Sequence, residues 1–242
     1  MVQAPPQQPV SDLGTKDWGV DVVIKALRAQ PESLEVQRWG CAAIRDLARE
    51  SEDNKAKLAS LGGLDLALEG LRSYPSDAEI QESGCAAVSH LTLGSAALQA
   101  EAATRGAIDL VLAALQAHRG DADVQEEGCA ALCSLVSERR DLQERVSDAG
   151  GVDAVLQAMR EHPTAPEVLV SASAVLAHLA FAGAEHRSRV LSAGGLELLL
   201  EALEGYPDAA QVQGYCCAAL GNLVGEGGEE DAAFRVHVAS LG

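Results

Sequence analysis

Aromatic residues are scarce in this sequence, where Phe, Trp and Tyr together make up only 3% of the 242 residues. A core built around large rings is therefore excluded, although 48% of the residues are apolar. Such a core must consist mainly of Ala, Leu, Val and Gly. Side chains this small favour helices that pack closely against one another.

Basic residues are also few, with 18 Lys and Arg against 36 Asp and Glu and a formal net charge of −18. A chain of this charge is repelled by nucleic acid and by anionic membrane surfaces, so we expect neither as a partner. The longest uncharged stretch, residues 168–184, includes Ser171, Ser173 and His178. It is short for a membrane span, which needs about 20 apolar residues, so we expect no direct membrane insertion.

The N-terminal stretch MVQAPPQQPV contains neither a basic cluster nor an apolar segment. It resembles neither a secretory signal nor an Arg-rich transit peptide, and we expect residues 1–16 to be a disordered tail. Without a signal sequence, the six cysteines indicate free thiols in the cytoplasm or another reducing soluble compartment. The organelle stays open.

Recognisable catalytic motifs are missing as well, because the sequence has no P-loop, nucleophile elbow or zinc signature. The Gly-Gly turn at Gly62 could cradle a phosphate, but the acidic Asp65 that follows would repel it. His90 and His178 occupy the same position in two units of a sequence repeat, described in the next paragraph, that are separated by one further unit. They therefore cannot act as a pair. We therefore predict a protein that is not an enzyme and that binds no cofactor or metal.

A Gly-Cys pair recurs at a fixed interval, at Gly40, Gly84 and Gly128, with 84 − 40 = 44 and 128 − 84 = 44. The same step leads to Ala172 and Cys216. A second landmark opens an apolar run in each unit, at Gly19, Gly63, Ala107, Gly151 and Gly195. Self-similarity at a period between about 20 and 50 residues is typical of a solenoid. The predicted repeats span about 19–62, 63–106, 107–150, 151–194 and 195–242.

One unit, residues 63–106, contains three helix patterns. A short amphipathic pattern ends before Pro75, and a long one follows an N-cap at Ser76 or Asp77. The long pattern buries a stripe of small and aliphatic residues, namely Ile80, Gly84, Ala87, Val88 and Leu91. A third, shorter helix ends at Gly106. Each helix is too one-sided to stand alone, so neighbouring units must stack.

Three helices per unit, a glycine turn before the second and endings such as ALGNL give the sequence a specific resemblance. Residues 17–242 resemble the armadillo repeat. The resemblance implies an all-α, right-handed superhelical α-solenoid of about five three-helix repeats. The HEAT repeat, with two helices per unit, is the alternative, although EDNKAKLAS, ERRDLQERVSDAG and AEHRSRVLSAG recur as an extra helix.

The armadillo resemblance also implies a concave groove lined by the long helices, in which an asparagine near the end of each holds the backbone of an extended peptide. The matching positions here are Asp46, His90, Ser134, His178 and Asn222. Only Asn222 keeps the family residue. Where members that bind nuclear-import signals carry tryptophan, this chain has Ala42, Ala86, Ala130, Ala174 and Ala218. Capture of Lys-rich signals is therefore not expected.

The other predicted groove positions change in character along the array. They are Arg38, Arg45 and Arg49 at the start, Glu82 and Glu126 in the middle, and Val170, Phe181, Gly214 and Gly221 at the end. The groove is thus predicted to run from basic through acidic to apolar. Charges of this kind are also common on solvated helix faces without any function. An exposed Phe181 beside Val170 would be a natural contact site.

The cysteines are predicted to be structural. Equivalent cysteines on stacked helices, whose axes lie about 8–10 Å apart, are too distant for a disulfide and unsuitable for one zinc ion. We interpret Cys129 as small apolar filling and Gly128 as the residue that lets neighbouring helices approach closely. At the other end, HVASLG reproduces the LASLGG before the second repeat. The chain is a fragment, or a partner covers the last unit, or the acidic loop GEGGEED lets the last helix cap it.

Two functions fit these patterns. The first is a noncatalytic adapter or scaffold that presents its groove to a segment of a partner protein, near residues 170–222. The alternative is a structural or assembly subunit of a larger multiprotein complex that docks through its ends or convex face. The oligomeric state does not follow from the sequence.

Overall fold

The computed structural model describes residues 19–224, and every regular element in this range is an α-helix. The helices are α1 Val20–Ala29, α2 Leu34–Glu50, α3 Glu52–Ser60, α4 Gly63–Ser73, α5 Ala78–Thr92, α6 Ala96–Thr104, α7 Ala107–Ala117, α8 Ala122–Val136, α9 Arg140–Asp148, α10 Gly151–Glu161, α11 Pro166–Ala182, α12 Ala184–Ser192, α13 Gly195–Gly205 and α14 Ala210–Val224. They recur in the order opening helix (α1, α4, α7, α10, α13), long helix (α2, α5, α8, α11, α14) and closing helix (α3, α6, α9, α12).

Local sequence signals explain where these helices begin. The opening helix α4 follows Gly62, whose φ of 76° lies in the left-handed region that favours glycine. Its first turn carries Asp65, which suits the positive end of the helix dipole. The long helix α5 is capped by Asp77, whose carboxylate accepts a hydrogen bond from the amide of Ile80 at 3.2 Å. Side-chain caps and glycine turns therefore divide the chain into short helices.

Each long helix packs against the long helix of the next repeat, and each opening helix packs against the long helix that follows it. The opening helices at Gly63, Ala107, Gly151 and Gly195 begin 44 residues apart, as in 107 − 63 = 44. The buried side chains join into one cluster, mostly Leu, Val and Ala, that runs from α1 to α14. The fold is an all-α solenoid with one continuous core.

Glycines on the long helices bring the opening helices close. A Cβ atom at Gly128 would lie 2.5 Å from Leu115 Cδ2, a distance that real side chains do not adopt. The same relation holds for Gly84 with Leu71 at 2.7 Å and for Gly40 with Leu27 at 2.2 Å. The prediction that Gly128 permits close helix packing agrees with this geometry, and the close contact is with the opening helix of its own repeat.

Hydrogen bonds to backbone carbonyls join neighbouring repeats at the turns between opening and long helices. Tyr74 donates its hydroxyl to the carbonyl of Pro31 at 3.3 Å. In the next two repeats a histidine takes the place of the tyrosine: Nε2 of His118 lies 2.8 Å from the carbonyl of Pro75, and His162 bonds in the same way to the carbonyl of Arg119. We call these three contacts the ring bridges. They join the second, third and fourth repeats each to the repeat before it.

The predicted unit 63–106 has its three helices in the structure, as α4, α5 and α6. Asp77 rather than Ser76 is the N-cap of the long helix. The extra helix in each unit is the feature that separates this fold from the HEAT repeat. The predicted tail at 1–16 and the segment that contains GEGGEED and HVASLG lie outside the described residues. Within 19–224, no helix has both the length and the apolar character of a membrane span.

Replacing Gly128 with leucine is expected to destabilise the protein by about 1–3 kcal/mol, because the new side chain overpacks the contact with Leu115. The measurement is the midpoint of chemical or thermal unfolding. Gly214→Leu is the matched control, because no atom lies within 4 Å of a Cβ at that exposed helical position. An unchanged midpoint for Gly128→Leu would contradict the account. Adding Leu115→Ala should restore part of the lost stability.

Candidate partner-binding groove

All twelve predicted groove residues lie on the long helices, where they form one surface that we call the long-helix face. They are Arg38, Arg45, Asp46, Arg49, Glu82, His90, Glu126, Ser134, Val170, His178, Phe181 and Asn222. Ser134 alone among them is buried within the protein, and Arg49 and Phe181 are fully exposed. Side chains at a four- or seven-residue spacing share one side of a helix. The long-helix face is therefore a continuous surface with residues from every described repeat.

The cations at the start of this surface are already engaged. Arg38 donates from Nε and Nη2 to Asp77 Oδ2 at 3.0 and 2.6 Å, and this contact lowers the pKa of the Asp77 carboxyl. Arg45 lies 3.0 Å from carboxylate oxygens of both Asp46 and Glu82. The predicted basic start is thus neutralised within the protein, chiefly by acids of the same and the next long helix.

Acidic side chains accumulate on the middle of the surface. Burial is the main cause of a raised pKa at both Glu82 and Glu126. Burial and the neighbouring charge of Glu126 also raise the pKa of Glu127 to about 7. Arg45 counteracts the shift at Glu82, whereas Glu126 and Glu127 have no ion-pair partner within residues 19–224. Glu126 and Glu127 therefore lack a direct ion pair in this part of the chain, although Arg45 and Arg49 partly offset the pKa shift of Glu127.

Glu127 did not stand out in the sequence. It follows Glu126 in an ordinary Glu-Glu pair, and the equivalent positions carry Trp39, Ser83, Ser171 and Tyr215. The only signal in the sequence is that Glu127 is charged, whereas the residues at the equivalent positions of the other repeats are uncharged. Its helix α8 packs against α5 and α11, and the partial burial of Glu127 in this assembly has no signature in the sequence.

The positions that match the family asparagine differ in their burial and in the side chains or carbonyls that they contact. Ser134 is buried, with its hydroxyl 2.9 Å from that of Ser89. Asp46 interacts with Arg45 and Arg49. Asn222 donates from Nδ2 to the carbonyl of Ala177 at 2.9 Å, and its Oδ1 can still accept a hydrogen bond. The series of positions that match the family asparagine is therefore interrupted in the middle repeat, where Ser134 is buried.

The histidines in this array are half-buried. Burial lowers the pKa of His178, and at His90 burial acts together with the nearby charges of Arg49 and Arg45. Both imidazoles are therefore mainly neutral at pH 7, when each ring has one nitrogen that donates and one that accepts. They can interact with a peptide backbone without adding charge.

The end of the surface is apolar and open. Phe181 is 76% exposed, the largest exposure among the large hydrophobic residues of the described chain. Val170 is half-buried and packs against the core. On the next long helix, no atom lies within 4 Å of a Cβ at Gly214 or Gly221. Tyr215, which follows Gly214, is also exposed, at 44%, and no local pattern in the sequence distinguishes it.

The three cysteines of the recurring Gly-Cys pairs are shielded from solvent. Cys41, Cys85 and Cys129 are buried, and burial raises the pKa of Cys41 and Cys129 to about 12. A thiol that stays protonated is a poor nucleophile and a poor metal ligand. Within residues 19–224, no three His, Cys, Asp or Glu side chains are grouped so that they could hold a metal ion.

Three-helix repeats with glycine turns and stacked long helices define an armadillo-type solenoid. A family model described as LRRK2 ARM repeat matches residues 20–228, and the chain belongs to that family. A search of curated protein sequences gives no significant match.

Solved structures share the fold. An engineered protein matches with a TM-score of 0.78 and 21% identity, over 92% of this chain and 87% of that one. A designed armadillo repeat protein in complex with the peptide (KR)4 matches with a TM-score of 0.74 and 19% identity, over 90% and 87% of the two chains. A chain from work on a phosphorylation switch in the interaction between cadherin and beta-catenin matches at 0.70 and 20%, over 85% and 37%. At these identities the likeness concerns the fold.

Replacing Glu127 with glutamine is expected to stabilise the protein at pH 8 by about 1–2 kcal/mol, after allowance for solvent screening. The native pKa of about 7 lies above the ordinary value of 4.5. The contribution of the Glu127 carboxyl to the free energy of unfolding is therefore fully present below about pH 4.5, and it is lost as the pH rises through about 7. Unfolding midpoints at pH 5 and pH 8 should show a larger gain at pH 8. Glu201→Gln, at an exposed position of α13, is the control, and an equal gain there would contradict the assignment.

Proposed function

We propose that this protein is a noncatalytic adapter that binds a segment of a partner protein on its long-helix face. The observation that carries the proposal is Phe181, an aromatic side chain left 76% exposed in a chain with few aromatic residues. Aromatic side chains are enriched among the residues that dominate binding energy at protein interfaces. An exposed aromatic beside an open apolar surface is therefore a natural anchor point.

The contacts available to such a segment follow from the side chains around Phe181. Val170, Ala174, His178 and Phe181 follow one another on α11 at spacings of four, four and three residues, and so share one side of the helix. Small residues on α14 leave room for apolar side chains of the partner. The neutral imidazole of His178 and Oδ1 of Asn222 can hydrogen-bond to its backbone. The segment is bound chiefly by the repeats around residues 170–222.

A second function is favoured by the interruption in the middle of the surface. Since Ser134 is bonded to Ser89 and Asp46 is paired with Arg45, a long extended peptide would lack a free partner at the matching positions of the first and third repeats. A structural subunit of a larger complex, held through another face, would not need such partners. This alternative predicts a protein that associates obligatorily with its partners.

The groove proposal predicts that Phe181→Glu combined with Asn222→Ala reduces partner capture at least about tenfold, because it removes an apolar anchor and a backbone acceptor. Affinity purification from the source cells, with quantitative mass spectrometry, measures the loss. Val22→Glu is the matched control, since Val22 is 45% exposed on α1, away from the long-helix face. Undiminished capture by the double variant, with unchanged thermal stability, would count against the groove.

Size measurement of the isolated chain by light scattering separates the two functions. A monomer that remains soluble supports the adapter. Aggregation that only co-expression with a partner prevents supports the subunit.

A further inference from the structure

One hydrogen bond recurs at the C-terminal ends of three closing helices. An arginine in the last turn of an opening helix donates to the carbonyl of the C-cap, the residue just after the closing helix of the same repeat. Arg28 reaches the carbonyl of Leu61 at 2.7 Å, and Arg72 that of Arg105 at 3.4 Å. Arg160 makes the same contact with the carbonyl of Ala193. A guanidinium is thus the group that this position holds in three repeats.

The third repeat lacks this arginine. Gln116 occupies the position on α7, is exposed, and makes no hydrogen bond to the carbonyl of Ala149. A surface cavity of about 460 Å³ lies there. Its lining residues are Asp109, Leu112, Ala113, Gln116, Ala117 and Ala149. The repeat therefore retains the acceptor carbonyl and the surrounding cavity, without the cation.

The equivalent cavity of the first repeat shows what is missing. It has about 470 Å³ and is lined by Asp21, Ile24, Lys25, Arg28, Ala29 and Leu61. Where that cavity has Lys25 and Arg28, the third repeat has Ala113 and Gln116. The carboxylate is kept, as Asp21 and Asp109. Asp21 pairs with Lys57, whereas Asp109 has no ion-pair partner within residues 19–224.

The glycines at these junctions support the comparison. A Cβ at Gly62 would lie 3.3 Å from Nη2 of Arg28, and one at Gly194 would lie 3.5 Å from Nη2 of Arg160. At Gly150, the corresponding glycine of the third repeat, no atom lies within 4 Å. Gly106 is open as well, because Arg72 reaches its junction only at 3.4 Å.

We propose that the cavity at Ala149 binds the arginine side chain of a partner protein. The guanidinium donates to the carbonyl of Ala149, as Arg28 does to that of Leu61, and the carboxylate of Asp109 in the same cavity favours its positive charge, while the aliphatic part of the side chain lies on Leu112 and Ala113. Arginine, not lysine, occupies the equivalent position in three other repeats, and its planar fork presents several N–H donors in a fixed geometry. The site is on the opening helices and is independent of the proposed groove on the long helices.

A free arginine analogue tests the site directly. N-acetyl-arginine-N-methylamide is titrated into isotope-labelled protein, and amide NMR signals are followed. We expect saturable shifts at Ala113, Ala149 and Gly150, with a dissociation constant on the order of 10 mM for one charged side chain. The lysine analogue should bind several-fold more weakly. No saturable shift at these amides, or an equal response to lysine, would overturn the assignment.

Gln116→Arg supplies the missing group within the chain. It should abolish the shifts at Ala149 and Gly150 and raise the melting temperature by about 2 °C. Gln211→Arg introduces the same charge at an exposed position of α14, and it should leave the titration unchanged. Shifts that persist in Gln116→Arg would refute the site.

The converse variant, Arg160→Gln, removes the guanidinium from the fourth repeat. It should create a second set of arginine-dependent shifts, at Ala193 and Gly194. Absence of these new shifts, in a variant whose helix content is unchanged, would show that an empty junction does not bind a guanidinium and would overturn the proposal.

Discussion

The contact between a long-helix glycine and the leucine of the preceding opening helix is the constraint on which the rest of this solenoid depends. At Gly128 it leaves no room for a Cβ beside Leu115, so the two helices meet at the shortest separation that side chains allow. Close packing at this point offsets the free-energy cost of placing a glycine within a helix. Because the contact recurs at Gly40, Gly84 and Gly128, the first three repeats share the same internal packing, and their long helices then stack on one another.

Much of this fold could be predicted from the sequence, because its signals are local or strictly periodic. The Gly-Cys pairs marked the long helices, and the residues Ile80, Gly84 and Leu91 are buried as the apolar pattern of the second repeat indicated. Asp77 caps its helix for reasons visible in a few residues of sequence. Helix number, helix order and the buried side of a long helix follow from such signals alone.

The candidate site was less predictable, because its properties arise between repeats. The Ser89 and Ser134 hydroxyls are 45 residues apart in sequence, and Arg38 and Asp77 are 39 apart. Neither contact has a local signature. The change from basic to acidic to apolar residues between Arg38 and Phe181 can be read from the sequence. The ion pairs that neutralise the basic start of this surface cannot. The pKa of Glu127 is likewise raised by its burial and by the charge of Glu126.

The ring bridges between successive repeats give the solenoid a mechanical character. Each bridge is a single hydrogen bond at the outer end of a repeat, from Tyr74, His118 or His162. In a linear array each repeat touches mainly its neighbours, so each bridge acts on one junction between two repeats. The loss of one bridge therefore loosens that junction and leaves the more distant repeats in place.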